Sequence, residues 1–194
     1  MFRLLFFSLI LTLIMACNST QTIVENKAEI QKAKAEARPS PISVSPHVNL
    51  NSRQTQILEI SLPPNIREVL ENAEEFEILA EMEKKDGKFV YPGKESFEPT
   101  IKAVISEASL RKEILENFYR DVSKGSEPAN CWLPHHILRA GQGDKTVEME
   151  ICFSCSRFEG KGSFGAFSGT TGRGDEKTEK LFNRLIETYG VAIP

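Results

Sequence analysis

His136-Ile-Leu-Arg-Ala-Gly-Gln-Gly-Asp-Lys-Thr-Val-Glu-Met-Glu-Ile-Cys-Phe153 reads as two strands folded back on each other. Its second half alternates cleanly. Val147, Met149, Ile151 and Phe153 fall on one side, and Thr146, Glu148, Glu150 and Cys152 fall on the other. A period of two marks a strand with one buried and one wet face. Gly141-Gln-Gly-Asp144 supplies the reversal. With the turn centred on Gln142-Gly143, antiparallel ladder partners carry residue numbers that sum to about 285.

Working outward, Phe158 to Phe167 reads as a further strand, interrupted by Gly160, Gly162 and Gly165. Asp175 opens a helix in which Leu181, Phe182, Leu185, Ile186 and Tyr189 recur at helical spacing, and Gly190 stops it. Upstream, Leu110, Ile114, Leu115, Phe118 and Val122 form another apolar stripe, with Ser106 or Ser109 as its cap and Lys124-Gly125 as its end. Thr100 to Ile105 and Phe76 to Ala80 read as strands, and Lys84 to Lys88 as a turn. Pro63-Pro64 leads into a short helix with Ile66, Val69 and Leu70 on one side. Strands and helices do not alternate regularly. The predicted fold class is therefore α+β, an antiparallel sheet with two main helices packed on one face, over residues 57–194.

The N-terminus reads differently. Arg3 precedes an apolar run from Leu4 to Ala16, too short to span a bilayer and of signal-peptide dimensions. Its end, Ile14-Met-Ala-Cys17, resembles the lipobox of bacterial lipoproteins. That resemblance implies cleavage after residue 16 and attachment of acyl chains such as palmitate to Cys17. The lipid membrane then becomes a partner through Cys17, and several chains on one residue give stable anchoring where one does not. Asn18 stands where the family's sorting rule has Asp for inner-membrane retention, so the outer membrane is favoured over the inner one within the cell envelope. An ordinary cleaved signal and an uncleaved anchor are the alternatives. Residues 17–56 are rich in Ser, Thr, Asn, Gln, Lys, Glu, Ala and Pro, and too polar to repay the entropy of ordering. They read as a disordered, flexible tether with a reach of ~30–40 Å.

The formal charge is −3, and removing residues 1–16 makes it about −4. Nucleic acid as a partner calls for a basic patch, which this balance argues against. Gly169-Thr-Thr-Gly-Arg-Gly174 lacks the Gly-Lys-Ser/Thr ending of a phosphate loop, and acidic Asp175-Glu176 follow it. Glu148 and Glu150 read as the wet face of the sheet. No Ser-His-Asp set or Gly-x-Ser-x-Gly motif is present.

Chemistry concentrates in Cys131-Trp132-Leu-Pro-His135-His136 and Cys152-Phe-Ser-Cys155. The hairpin brings both ends together. Three readings stay open: zinc held by Cys131, Cys152, Cys155 and one His, a disulfide within the three thiols, or simple packing of small apolar residues. Trp132 reads as core or a lid, and His135 as an additional candidate. The pattern Cys-aromatic-x-Pro-x-His followed by Ile-Cys-aromatic-x-Cys resembles a family of uncharacterised exported bacterial proteins, from about Ile66 to Pro194. That family has an Arg where this chain has His135. The resemblance implies a structural unit and no particular activity.

The functional expectation is a membrane-anchored lipoprotein with a non-enzymatic binding or structural domain. The alternative is an envelope thiol oxidoreductase or metal-handling protein, in which Cys152 and Cys155 cycle or pass a metal and His136 assists.

Overall fold

Asn51 accepts a hydrogen bond from the backbone of Gln54, whose side chain bonds back to the Asn51 N–H. This capping box satisfies two orphan donors and starts helix α1, Ser52–Ser61. The computed structural model describes residues 43–86, 88–91, 97–172 and 176–193. The segment read as a signal peptide, Cys17 and the part of the expected tether up to residue 42 lie outside the described residues. Residues 43–56, read from sequence as tether, are folded instead. Val44 is buried and donates to the Glu71 carbonyl at 2.8 Å, while Val48 and Leu50 pack against the core. A few apolar side chains with a ready surface to cover were enough to order this strap.

Pro64, at the first turn of α2 (Pro64–Glu71), presets the helical φ, and Ile66, Val69 and Leu70 are buried. Strand β1 (Glu75–Ala80) follows. Next comes a small separate hairpin, β2 (Glu83–Lys85) with β3 (Lys88–Val90), around the expected turn. Strand β4 is Ile101–Val104 and helix α3 is Ala108–Lys124. Neither Ser106 nor Ser109 caps α3. Glu107 holds the cap position without a side-chain bond. The buried Arg111 guanidinium instead donates to the carbonyls of Ile105, Ala73 and Ser106, clipping two loops together.

Strands β5 (His136–Gln142) and β6 (Lys145–Cys152) form the expected hairpin. Their register pairs Leu138 with Met149 and Gln142 with Lys145, so partner numbers sum to 287. The turn is Gly143-Asp144, one residue later than expected, because Gly143 supplies the positive φ of 61°. The single strand expected over 158–167 is two strands, β7 (Arg157–Gly162) and β8 (Gly165–Thr170). Gly165, at φ 99°, lets the chain reverse there. Helix α4 (Lys177–Tyr189) ends at Gly190, and β9 (Val191–Ala192) adds an unforeseen edge beside β4.

The result is α+β. One sheet of seven strands runs β8-β7-β6-β5-β1-β4-β9, every neighbouring pair antiparallel, with four helices among the described residues. Phe76, Ile78, Leu138, Ala140, Val147, Met149, Ile151 and Phe158 make its inner face. Ile114, Leu115, Phe118, Val122, Phe182 and Ile186 complete the same core from the helices. Tyr189 does not join the stripe. At the last turn of α4 it stays 44% exposed. The outer face carries a chain of ion pairs across the strands: Lys102–Glu77, Glu77–Arg139, Arg139–Glu148 and Glu148–Lys161.

Candidate functional site

Three thiols meet where β6 runs into the turn before β7. Cys152 ends β6, Cys155 lies in that turn, and Cys131 arrives on the irregular segment leading to β5. Ala129 N–H donates to the Cys155 carbonyl at 3.0 Å, and His135 N–H donates to the Ile151 carbonyl at 3.3 Å. These bonds extend the β5–β6 ladder past Pro134 and hold the Cys131 segment against the turn. Ser156, at φ 55°, closes the turn by donating its N–H to the Phe153 carbonyl.

The three sulfurs lie within 4.8 Å of one another. Cys155 is within disulfide reach of both neighbours, its Cα 5.7 Å from that of Cys131 and 5.2 Å from that of Cys152. Cys152 and Cys155 are fully buried, outside the main core, whereas Cys131 is not buried. The Ser154 hydroxyl is 3.5 Å from the Cys152 sulfur. Trp132 carries the Arg157 guanidinium over its ring, 5.1 Å from the centroid, which makes it a cation–π partner beside the thiols.

His136 does not belong to this cluster. It pairs with Ile151, an inner-face residue, while Cys152 is the next residue along and points to the opposite face. The metal-ligating atoms that come together among the described residues are the three sulfurs alone. They could supply three thiolates to a zinc ion, whose fourth position would have to come from outside this group.

His136 is instead the centre of a buried polar set that sequence reasoning did not find. Its Nε2 lies 2.8 Å from Asn183 Oδ1, and the Tyr91 hydroxyl donates to the same oxygen at 2.8 Å. Phe153 and Phe182 pack edge-on against the imidazole. Burial pushes its pKa down to about 4, against the Asn183 bond, and nearby His135 adds to the fall. An accepting Oδ1 requires the proton on Nε2, which leaves Nδ1 unprotonated and without a hydrogen-bond partner. The ring of His135 stacks on Tyr91, centroids 4.1 Å apart, and burial lowers its pKa too despite the Glu81 charge. Burial raises the Tyr91 phenol, with Glu179 adding to the effect. This set ties Tyr91, the residue after β3, to α4 and β5 and favours neutral histidines.

A hollow of about 470 Å³ opens elsewhere, on the outer sheet face, lined by Glu75, Glu77, Arg139, Gly141, Glu148 and Lys161. Glu77, Arg139, Glu148 and Lys161 are partnered with one another. Burial works to raise the Glu148 carboxyl, but hydrogen bonds from Arg139 and Lys161 outweigh it and hold the pKa below its usual value. The thiol cluster is not among its lining residues.

Compared with protein-family models, curated proteins and solved structures, the chain matches none.

Proposed function

We propose that this chain is a lipoprotein of the bacterial cell envelope, held on the outer membrane through acylated Cys17, whose folded part is a non-enzymatic binding or structural domain stapled by a disulfide. One observation carries the staple: Cys155 lies within disulfide reach of Cys131 and of Cys152, and no histidine joins them. Three sulfurs without a fourth ligand in the group suit a disulfide better than a tetrahedral zinc site. An exported chain also meets the oxidising conditions in which such bonds persist. The lipobox-like Ile14-Met-Ala-Cys17 and the resemblance of the Cys131–Cys155 motif to exported proteins support export.

No described helix is long and apolar enough to cross a membrane. A fatty-acid label tests the anchor. The wild-type chain takes up the label and sediments with membranes, and Cys17→Ser loses the label and is released. Equal labelling and retention of Cys17→Ser contradicts the anchor without touching the staple.

A further inference from the structure

A single disulfide among three cysteines leaves one sulfur over, and the three differ in access. Cys131 is not buried, whereas Cys152 and Cys155 are fully enclosed. A sulfur forms one disulfide at a time, so Cys155 is the pivot between two alternative bonds, both at ordinary Cα separations of 5.7 and 5.2 Å. A cation, Arg157, sits on the neighbouring strand. Arg157 is the ladder partner of Cys152, so their side chains share a face, and its guanidinium covers Trp132, next in the chain to Cys131. A cation near a thiol favours the thiolate, the form that attacks a disulfide. Glu159 shares this cation.

We infer that the three cysteines form an intramolecular disulfide relay by which an external low-molecular-weight disulfide oxidises the staple once, stoichiometrically, with Cys131 as the outer thiol, Cys155 as the pivot and Cys152 as the inner terminus. The inference rests on the disulfide reading of the cluster given above. In the first step the Cys131 thiolate attacks one sulfur of an external disulfide R–S–S–R. The external bond breaks, one thiolate leaves and takes up a proton, and a Cys131–S–S–R bond forms. The Cys155 thiolate then attacks the Cys131 sulfur. This expels the second external thiolate and forms Cys131–Cys155. Finally the Cys152 thiolate attacks the Cys155 sulfur, forming Cys152–Cys155 and releasing Cys131 as a thiolate. Two protein thiols are oxidised, one external disulfide becomes two thiols, and the last exchange moves no net electrons. An external dithiol runs the sequence backwards.

Glutathione disulfide is the probe. The full chain, purified from membranes, is reduced, freed of reductant and mixed with it. Acid-quenched samples are then mapped by mass spectrometry. The relay requires a glutathione adduct on Cys131 first, then Cys131–Cys155, then Cys152–Cys155. Cys131→Ser slows oxidation of the inner pair at least tenfold, and Cys152→Ser accumulates Cys131–Cys155. The wild-type time course stands even if a variant folds poorly. A single fixed pairing with no adduct on Cys131, or an inner pair that oxidises at the wild-type rate in folded Cys131→Ser, overturns the relay and leaves the staple intact. A wild-type chain that forms no disulfide and retains zinc overturns the disulfide reading, and the relay with it.

Discussion

Cys131 and Cys155 approach to 5.7 Å, Cα to Cα, although they lie 24 positions apart in the chain. The loop between them contains the whole β5–β6 hairpin, so a bond here ties the open end of the sheet's central pair. On the loop-entropy account, closing a loop of this length is worth about 3 kcal/mol, and the three-residue spacing of Cys152 and Cys155 is worth less. In oxidised Cys152→Ser, where only Cys131–Cys155 can form, reductant should therefore lower the denaturant midpoint by an amount equivalent to ~2–4 kcal/mol. Chelator alone should leave the midpoint unchanged. The comparison of melts with and without each reagent checks this.

The helical stripe supplies a second prediction. Leu115 and Phe118 are fully buried in α3, and Phe118 packs edge-on against Phe158 of β7 at 5.7 Å. Replacing either by Ala should cost ~2–5 kcal/mol, because it removes apolar burial and leaves a cavity. A loss below ~1 kcal/mol in urea unfolding would contradict the helix-on-sheet core.

The stripe and the β6 alternation were legible because each repeats its period over several buried positions. Val147, Met149 and Ile151 are fully buried, as that alternation requires. The slip of the ladder sum from 285 to 287 kept each side chain on its face, since a two-residue shift preserves the period of two. The same alternation already placed Cys152 opposite to Ile151, and hence away from His136. Proximity along the hairpin alone does not bring two side chains to the same face. The β7–β8 reversal was obscured because glycines at 160, 162, 165 and 169 carry no side-chain pattern. Two-residue β9 and the Val44 strap offer too few residues for any period to show. Tyr91 and Asn183 lie 45 and 47 residues from His136, and no local motif announces them.

His136 makes stability depend on pH in one direction. Its folded pKa of about 4 lies below the unfolded value near 6.5, so the unfolded chain binds the extra proton between them. The contribution is complete above ~6.5 and is lost as the pH falls toward 4. The loss amounts to roughly 3 kcal/mol for a shift of this size. His136→Gln should remove that part of the slope. Parallel slopes for wild type and variant in urea midpoints measured from pH 7 to 4 would contradict the neutral buried imidazole.

Gly162 faces the β6 backbone so closely that an added Cβ would collide with the Thr146 carbonyl oxygen. Backbone cannot step aside as a flexible side chain can. Gly162→Ala should therefore destabilise the domain by about 1–3 kcal/mol. Gly143→Ala meets no neighbour, and its cost comes from the positive φ of 61° alone. Paired urea melts of the two variants rank the clash against the strain.

The staple is tested most directly by counting thiols and metal together on the non-reduced full chain, purified from membranes and then denatured. The account predicts one disulfide and one titratable thiol among Cys131, Cys152 and Cys155, with no stoichiometric zinc. Stoichiometric zinc with all three thiols reduced, or three free thiols without metal, would contradict it.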